Sequence, residues 1–547
     1  MNFLENIFKQ LEAAPQTNFL QAMPDGKPVS VTGGELLEMI GRARAFISQK
    51  GLKKGDRCAL LAHNSIRWVA VDLALMAEGM IVVPLYARQA PAELVAMMKD
   101  CSPALICCSD ADLQKAVKQD WPDAPERVLF DEIFATRANK AGKPQIAEND
   151  PVAIIYTSGT SGEAKGVVII AANVGFILER TAGRLDVLMS GSTAQERVYH
   201  YLPFCFCASW IALLSYLSRR SLVTLNLDLT RLAGEMRVAA PDYFLNVPAL
   251  LERMRKGIDE QLWKTGGIVL SIYTRAKTAW MRKQEGKAKA FDGLWLGLAN
   301  ALVFPAIRKK MIGPNLKGLI SGSAPLNMDT QHYFMMLGIP VLQVYGLTET
   351  TGICTMDDPR RVNPGRVGPA VDGLEMKLGE NDEIMVRGLN VFSGYWNRPQ
   401  ETAKVLRDGW FHTGDQGEVD AAGNWRIAGR IKNLIILGSG HNLAPEPIEE
   451  KILQHLPGAQ QVVLVGNGRG YLTSIITGGV TREQAQAALD AVNPGLPHYK
   501  QVRAFHLQPD AFSIEDGMLT ANGKLKRDAI AARLKNEIEE MYRVKAS

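Results

Sequence analysis

The sequence predicts an α/β fold in two parts: a large N-terminal α/β domain with layered sheets, and a small, mobile α+β domain after it. Three observations carry that expectation. The chain has 547 residues, too many for a single hydrophobic core. Its first half alternates helix-like and strand-like segments, the rhythm of a largely parallel sheet. After Arg430 the rhythm changes to short strands and helices of a separate unit, which divides the chain into 1–430 and 431–547.

Taken in order, Thr32-Gly33-Gly34-Glu35 has capping-box spacing, and Leu36, Ile40, Ala43 and Ile47 follow at helical intervals. The turn Lys54-Gly55-Asp56 leads into an apolar run, Cys58 to Ala62, bounded as a buried strand is. A helix from Ser65 to about Ala77 and a second run, Ile81 to Leu85, come next, and the pattern recurs around Leu105 to Cys108. In the tail, Leu434 to Leu437, Val462 to Val465 and Leu472 to Thr477 read as strands, Arg482 to Val492 and Lys526 to Tyr542 as helices. Two apolar stretches, Tyr201 to Leu217 and Leu294 to Ile307, are shorter than the roughly 20 residues of a membrane span. Each carries a proline, Pro203 or Pro305, and each is expected to be core or the wall of an apolar pocket.

A 47% hydrophobic, 22% charged composition is that of an ordinary soluble globular protein. With 62 basic and 57 acidic residues the net charge is +5, which calls for no nucleic-acid partner but leaves local basic surface free to meet phosphate or anionic lipid. Seven cysteines, odd in number and without a C-x-x-C pair, argue against a zinc site and for free thiols in a reducing compartment. The opening residues, MNFLENIFKQ, lack a basic-then-apolar leader, so the cytoplasm is the expected location. Peripheral membrane contact and a homodimer both stay open.

The strongest local signal begins at Ala153. An apolar strand runs into Thr157-Ser158-Gly159-Thr160-Ser161-Gly162 and ends at Lys165-Gly166. Glycines let backbone N–H groups close around phosphate oxygens, hydroxyls add donors, and the lysine adds positive charge. Gly166 after the lysine, rather than Ser or Thr, separates this loop from a Walker A motif.

This loop resembles the phosphate-binding signature of the adenylate-forming superfamily, which includes acyl-CoA synthetases, luciferases and peptide-synthetase adenylation domains. Ala164 stands where that signature usually has proline, a change in stiffness rather than in donors. Further motifs follow in register as far as Arg527. Ser321-Gly322-Ser323-Ala324-Pro325-Leu326 is similar to the turn whose backbone lies along adenine. In Val344-Tyr345-Gly346-Leu347-Thr348-Glu349-Thr350 the resemblance implies that Tyr345 stacks on adenine, Thr348 meets the α-phosphate, and Glu349, with Thr160, helps hold Mg2+. An aromatic face suits a purine, and a carboxylate beside phosphates suits a hard cation. Trp410-Phe411-His412-Thr413-Gly414-Asp415 is similar to the motif whose aspartate takes the ribose hydroxyls, as an acceptor-only carboxylate can; the resemblance implies that role for Asp415 and a structural one for His412. Arg430 resembles the ribose or phosphate contact, Lys432 the hinge of the small domain, and Lys524 the catalytic lysine.

The resemblance implies two half-reactions, with ATP, a fatty acid and coenzyme A as the small-molecule substrates. The acid's carboxylate attacks the α-phosphate of MgATP to give acyl-AMP and pyrophosphate. The small domain then turns about Lys432, withdraws Lys524, and presents Gly438-Ser439-Gly440-His441 to line the channel for the coenzyme A thiol. Leu434 to Glu449 and a helical insertion between about Leu262 and Lys317 are similar to long-chain fatty acyl-CoA synthetases. Phe204, Phe206, Trp210 and Leu213, with Gly322 and Gly346, are the candidate walls of the acyl pocket. Long-chain enzymes usually show a histidine and then Glu-Arg near here, whereas this chain has Phe206 and then Ser209-Trp210, which leaves chain length undecided. Transfer to a carrier protein and lactone formation from a hydroxy acid are alternative second steps. A binding protein without catalysis and a luciferase-like oxygenase are the readings from other classes.

Overall fold

The computed structural model describes residues 2–138, 142–158, 164–311, 313–520 and 523–543. Among them the strands form two large sheets, a five-stranded antiparallel sheet, and in the tail a two-stranded and a three-stranded sheet. The alternating first half builds a seven-stranded sheet. Its strands Ile81–Leu85, Arg57–Leu61, Leu105–Cys108 and Arg127–Leu129 run parallel. On one side Pro151–Ser158 adds parallel to Ile81–Leu85, and Ala164–Ile170 folds back antiparallel to it as a hairpin. The second large sheet has eight strands, and its parallel core includes Arg197–His200, Tyr243–Asn246, Gly318–Ser321 and Val341–Tyr345.

The sheets are joined by helices that sit where the apolar spacing put them. In Gly33–Ser48, Thr32 accepts from the Glu35 amide at 3.3 Å and Glu35 from the Thr32 amide at 2.8 Å, closing the capping box. Ser65 caps Ile66–Ala77, whose residues from Trp68 onward are all buried between neighbours. All seven cysteines are free and buried. A β-carbon at Gly166 would lie 2.7 Å from Ile154 Cγ2, so the hairpin strands can close only over a glycine.

From Ile435 onward the chain has apolar clusters of its own. Ile448, Ile452, Leu472, Ile476 and Leu489 make one, and Val463, Ile475, Ile530 and Ile538 another, on opposite faces of Ala459–Val465/Leu472–Gly478/Val502–Gln508. The expected final helix is two, Arg527–Arg533 and Lys535–Arg543, with Leu534 leaving helical geometry between them at φ −102°, ψ 31°.

Tyr201 to Leu217 is core, as its composition suggests: the helix Cys207–Ser218 buries Trp210, Leu213 and Leu214. Leu294 to Ile307 corrects the expectation. It forms Asp292–Leu302 and Phe304–Met311, with Pro305 taken into the first turn of the second helix, and both Leu294 and Leu302 face solvent. Apolar content alone does not reveal which side of a helix meets the rest of the protein. Among the described residues no helix is long and apolar enough to cross a membrane.

Candidate active site

The parallel strands Gly318–Ser321 and Val341–Tyr345 are neighbours, with Ser321 opposite Gln343, so the turns that follow them emerge at the same edge of the sheet. Ligands of open α/β sheets bind at that carboxyl edge. After Ser321, Gly322 lies against Val344, where a β-carbon would come within 2.6 Å of Cγ2, and Ser323 takes a left-handed φ of 72°. Ser323, Ala324 and Pro325 are exposed on this turn. After Tyr345, a β-carbon on Gly346 would lie 2.3 Å from the Gly352 carbonyl oxygen, a space that no side chain can share. The chain then makes the single 3-10 turn Thr348–Thr350, tied down by Thr350 Oγ1 accepting from the Leu347 amide at 2.9 Å.

Two carboxylates sit at these turns. Asp415 is 3% exposed; its Oδ2 accepts from the Tyr345 hydroxyl at 2.8 Å and its Oδ1 from Arg430 Nε at 2.9 Å. The register explains this, because Asp415 and Arg430 are cross-strand partners in the pair Trp410–Val419/Trp425–Arg430. Burial, then the charge of Asp415, pushes the Tyr345 hydroxyl well above its usual range, so it stays a donor. Tyr345 itself is only 9% exposed, which leaves little of its ring open. Glu349 is the second carboxylate, and its Oε1 accepts from the Tyr395 hydroxyl at 2.8 Å. Burial, and next Glu349, raises Tyr395 in the same way.

Lys165 follows the hairpin tip, with Thr157 opposite it in the ladder. Its Nζ lies 2.5 Å from Glu401 Oε2 and 5.3 Å from the centre of the Tyr395 ring. Glu401 also pairs with Lys404, and the hydrogen bond from Lys165, followed by that from Lys404, pulls its carboxyl down to about 2. Tyr395 and Glu401 thus tie the loop lysine to the Glu349 carboxylate. Neither was singled out in the sequence, although both lie in Gly394-Tyr395-Trp396-Asn397-Arg398-Pro399-Gln400-Glu401, an aromatic residue just ahead of a proline-started helix. Gly159, Thr160, Ser161 and Gly162 lie outside the described residues, and Ser158 ends the first hairpin strand.

The tail reaches the same carboxylates. Lys524 stands on a tight turn in which Thr520 N–H donates to the Lys524 carbonyl at 2.8 Å and Thr520 Oγ1 accepts from the Lys524 amide at 3.1 Å. The lysine keeps contact with solvent, yet the protein crowded around its ammonium lowers its pKa, helped by Arg430 and opposed by Asp415 and Glu349. Lys432, on the turn Ile431–Asn433, is brought down to about 8 by the same desolvation and by Arg430, with Lys165 adding to it. Residues as far apart in the chain as Lys165 and Lys432, or Glu349 and Lys524, therefore act on one another's charge. Arg527 holds the turn in place by spanning both oxygens of the buried Glu449 at 2.6 Å each.

Other expected residues lie elsewhere. Phe204 has no exposed surface and packs between the rings of Trp68, 5.0 Å away, and His200, 4.8 Å away. Trp210 is equally buried, donating to Asp72 Oδ2 at 3.0 Å, and Leu213 is core beside it. These three are packing rather than an open pocket wall; Phe206, 5.5 Å from Tyr86, is only half-buried. Gly438, Ser439, Gly440 and His441 form an exposed loop in which Ser439 Oγ bonds His441 Nδ1 at 3.0 Å and His441 stacks on Tyr499. His412 Nδ1 sits 2.8 Å from Glu383.

Comparison with known proteins places this arrangement among nucleotide-using enzymes. The AMP-binding enzyme family model matches residues 7–396, and that of the AMP-binding enzyme C-terminal domain matches 432–546. The long-chain-fatty-acid–CoA ligase FadD15 of Mycobacterium bovis is 25% identical over 99% of this chain and 97% of its own length. The long-chain-fatty-acid–CoA ligase ACSBG2 of Rattus norvegicus is also 25% identical, over 94% of this chain and 88% of its own. Among solved structures, the fold matches an anthranilate CoA ligase in complex with anthranoyl-AMP at TM-score 0.77, with 17% identity and 98% of each chain covered. O-succinylbenzoate coenzyme A synthetase from Bacillus subtilis, in complex with AMP, matches at TM-score 0.75 and 20% identity, over 96% of this chain and 97% of that one.

Proposed function

The chain belongs to the AMP-binding enzyme family, and on that premise we propose that it activates a long-chain fatty acid with ATP and passes the acyl group to coenzyme A. As an AMP-forming acid–thiol ligase it works through acyl-AMP. The observation that carries the reading is Lys524, delivered by the tail into the electrostatic reach of Asp415, Arg430 and Glu349. Relatives named as long-chain-fatty-acid–CoA ligases, matched along nearly the whole chain, support the choice of acid and acceptor.

In the first half-reaction the ribose hydroxyls bond to Asp415, whose two oxygens keep lone pairs beyond those used by Tyr345 and Arg430. Adenine lies along the exposed Ser323–Pro325 backbone, meeting only the small part of the Tyr345 ring that stays open. The loop from Thr157 to Gly162 and Lys165 cradle the outer phosphates, with Lys165 exchanging Glu401 for phosphate oxygen. As the carboxylate adds to the α-phosphorus, Thr348 and Lys524 neutralise the charge that builds on the phosphoryl oxygens, and pyrophosphate leaves. Glu349 and Thr160 offer only oxygen donors, which fits Mg2+; bound there, it would supply further positive charge beside the phosphates. In the second half-reaction the tail turns about Lys432, Lys524 leaves, and the loop Gly438 to His441 comes to line the thiol channel.

Pyrophosphate release measured across carboxylic acids of rising chain length, then with coenzyme A added, tests the proposal. Release that grows with chain length and is followed by acyl-CoA supports it. Release without thioester formation would shift the second step to a carrier protein or to lactone closure, and no release with any acid would end the reading.

A further inference from the structure

We propose that the helical insertion between Pro248 and Met311 docks the protein onto an anionic lipid membrane. The helix Asp292–Leu302, DGLWLGLANAL, carries no charge after its first residue, yet only Asp292 and Ala299 are buried in it. It is fastened on one side only, where the guanidinium of Arg275 lies 4.4 Å from the Trp295 ring and Arg282 pairs with Asp292. On its free side Phe291, Leu294 and Leu302 are 71%, 56% and 64% exposed. At helical spacing these three fall within an arc of about 80°. A second apolar prominence is the corner between Pro248–Thr265 and Gly267–Gln284. There Gly266 and Gly267, both at φ 63°, reverse the chain and leave Trp263 66% and Ile268 79% exposed. The insertion spends large apolar side chains on solvent, which a surface segment without a partner has no reason to do.

Charge selects the partner. From Pro248 to Met311 there are 13 basic and 5 acidic residues, a net +8, whereas the entire chain is only +5. Lys287 and Lys289 precede the exposed stripe; Arg308, Lys309 and Lys310 follow it. A second copy meeting this face would set +8 against +8. A bilayer surface of anionic headgroups instead attracts the basic residues at both ends and receives the apolar stripe between them, the arrangement of an interfacial amphipathic segment.

The full-length protein is floated with vesicles of phosphatidylcholine alone and of phosphatidylcholine with 30% phosphatidylglycerol. Expected are binding to the anionic vesicles, weak binding to the neutral ones, and release by added salt. Lys309→Gln with Lys310→Gln, which leaves the apolar stripe untouched, should weaken binding roughly thirtyfold. Leu294→Ser with Leu302→Ser should weaken it at least tenfold. All four sites are exposed, so folding and acid-dependent pyrophosphate exchange with a short soluble acid should stay as in the parent. Equal binding to both vesicle types, or unchanged binding by either double variant, overturns the proposal. So does a self-association, seen by sedimentation, that the leucine variant abolishes while vesicle binding is absent.

Discussion

Replacing Tyr395 with Phe removes one hydroxyl and nothing else from the candidate site. That hydroxyl donates to Glu349 Oε1 at 2.8 Å, and the ring that remains still lies beneath Lys165, 5.3 Å from Nζ, and against Phe392, 4.8 Å away. A hydrogen bond from a neutral donor to a charged, partly buried carboxylate contributes roughly 1.5–3 kcal/mol, or about ten- to hundredfold in an equilibrium or a rate. If Glu349 is the carboxylate that meets Mg2+ beside the phosphates, freeing its oxygen lets it rotate away from the position the ion needs. Acid-dependent exchange of labelled pyrophosphate into ATP, followed as Mg2+ is raised, should show half-saturation at about tenfold higher Mg2+ or more. The melting temperature should fall by no more than a few degrees. Exchange with the parent's rate and the parent's Mg2+ dependence would mean instead that Tyr395 supports the fold and not the carboxylate.

Gly346→Ala puts a methyl group 2.3 Å from the Gly352 carbonyl oxygen, so both turn and strand must shift; exchange activity should fall at least about a hundredfold, with a lower melting temperature in a thermal scan. Burial pushes Asp72 up to about 7, against the bond from Trp210. Its folded-state pKa lies above the unfolded value, so its stabilising contribution is complete below about pH 4 and is lost as pH rises through 7. Asp72→Asn keeps an acceptor for Trp210 and should gain on the parent by up to about 4 kcal/mol on going from pH 4 to pH 8, read from denaturant titrations. Arg527→Ala removes both guanidinium bonds from the buried Glu449 carboxylate and leaves only the Leu464 amide on it, a loss of about 3–5 kcal/mol. Calorimetry should show the tail melting earlier, and pyrophosphate exchange should drop because the turn bearing Lys524 loosens.

Much of the fold was legible because its signals are local. The Thr32 capping box, the strands around Cys58 and Ile81, and the strand that runs into the loop before Lys165 each announce themselves within a dozen residues. The site was partly legible through motif resemblance, which singled out Tyr345, Glu349, Asp415, Arg430 and Lys524. The residues that hold Glu349 and Lys165 were not. Glu401 is 236 positions from Lys165 and Tyr395 is 46 from Glu349, and only folding brings each pair into contact. Composition misled twice, in opposite ways. Phe204 and Trp210 suggested a pocket wall but are sealed core, and Leu294 to Ile307 suggested core or wall but carries an exposed stripe. An apolar run shows that a segment needs a dry neighbour, and only the packed structure shows whether it has one.

Changing Lys524 to Ala separates the two half-reactions and so bears most directly on the account. With ATP and a fatty acid the variant should release almost no pyrophosphate, while supplied acyl-AMP and coenzyme A should still yield thioester at close to the parent's rate. Equal loss in both assays would mean that this lysine supports the tail's structure and does not serve the capture of the α-phosphorus.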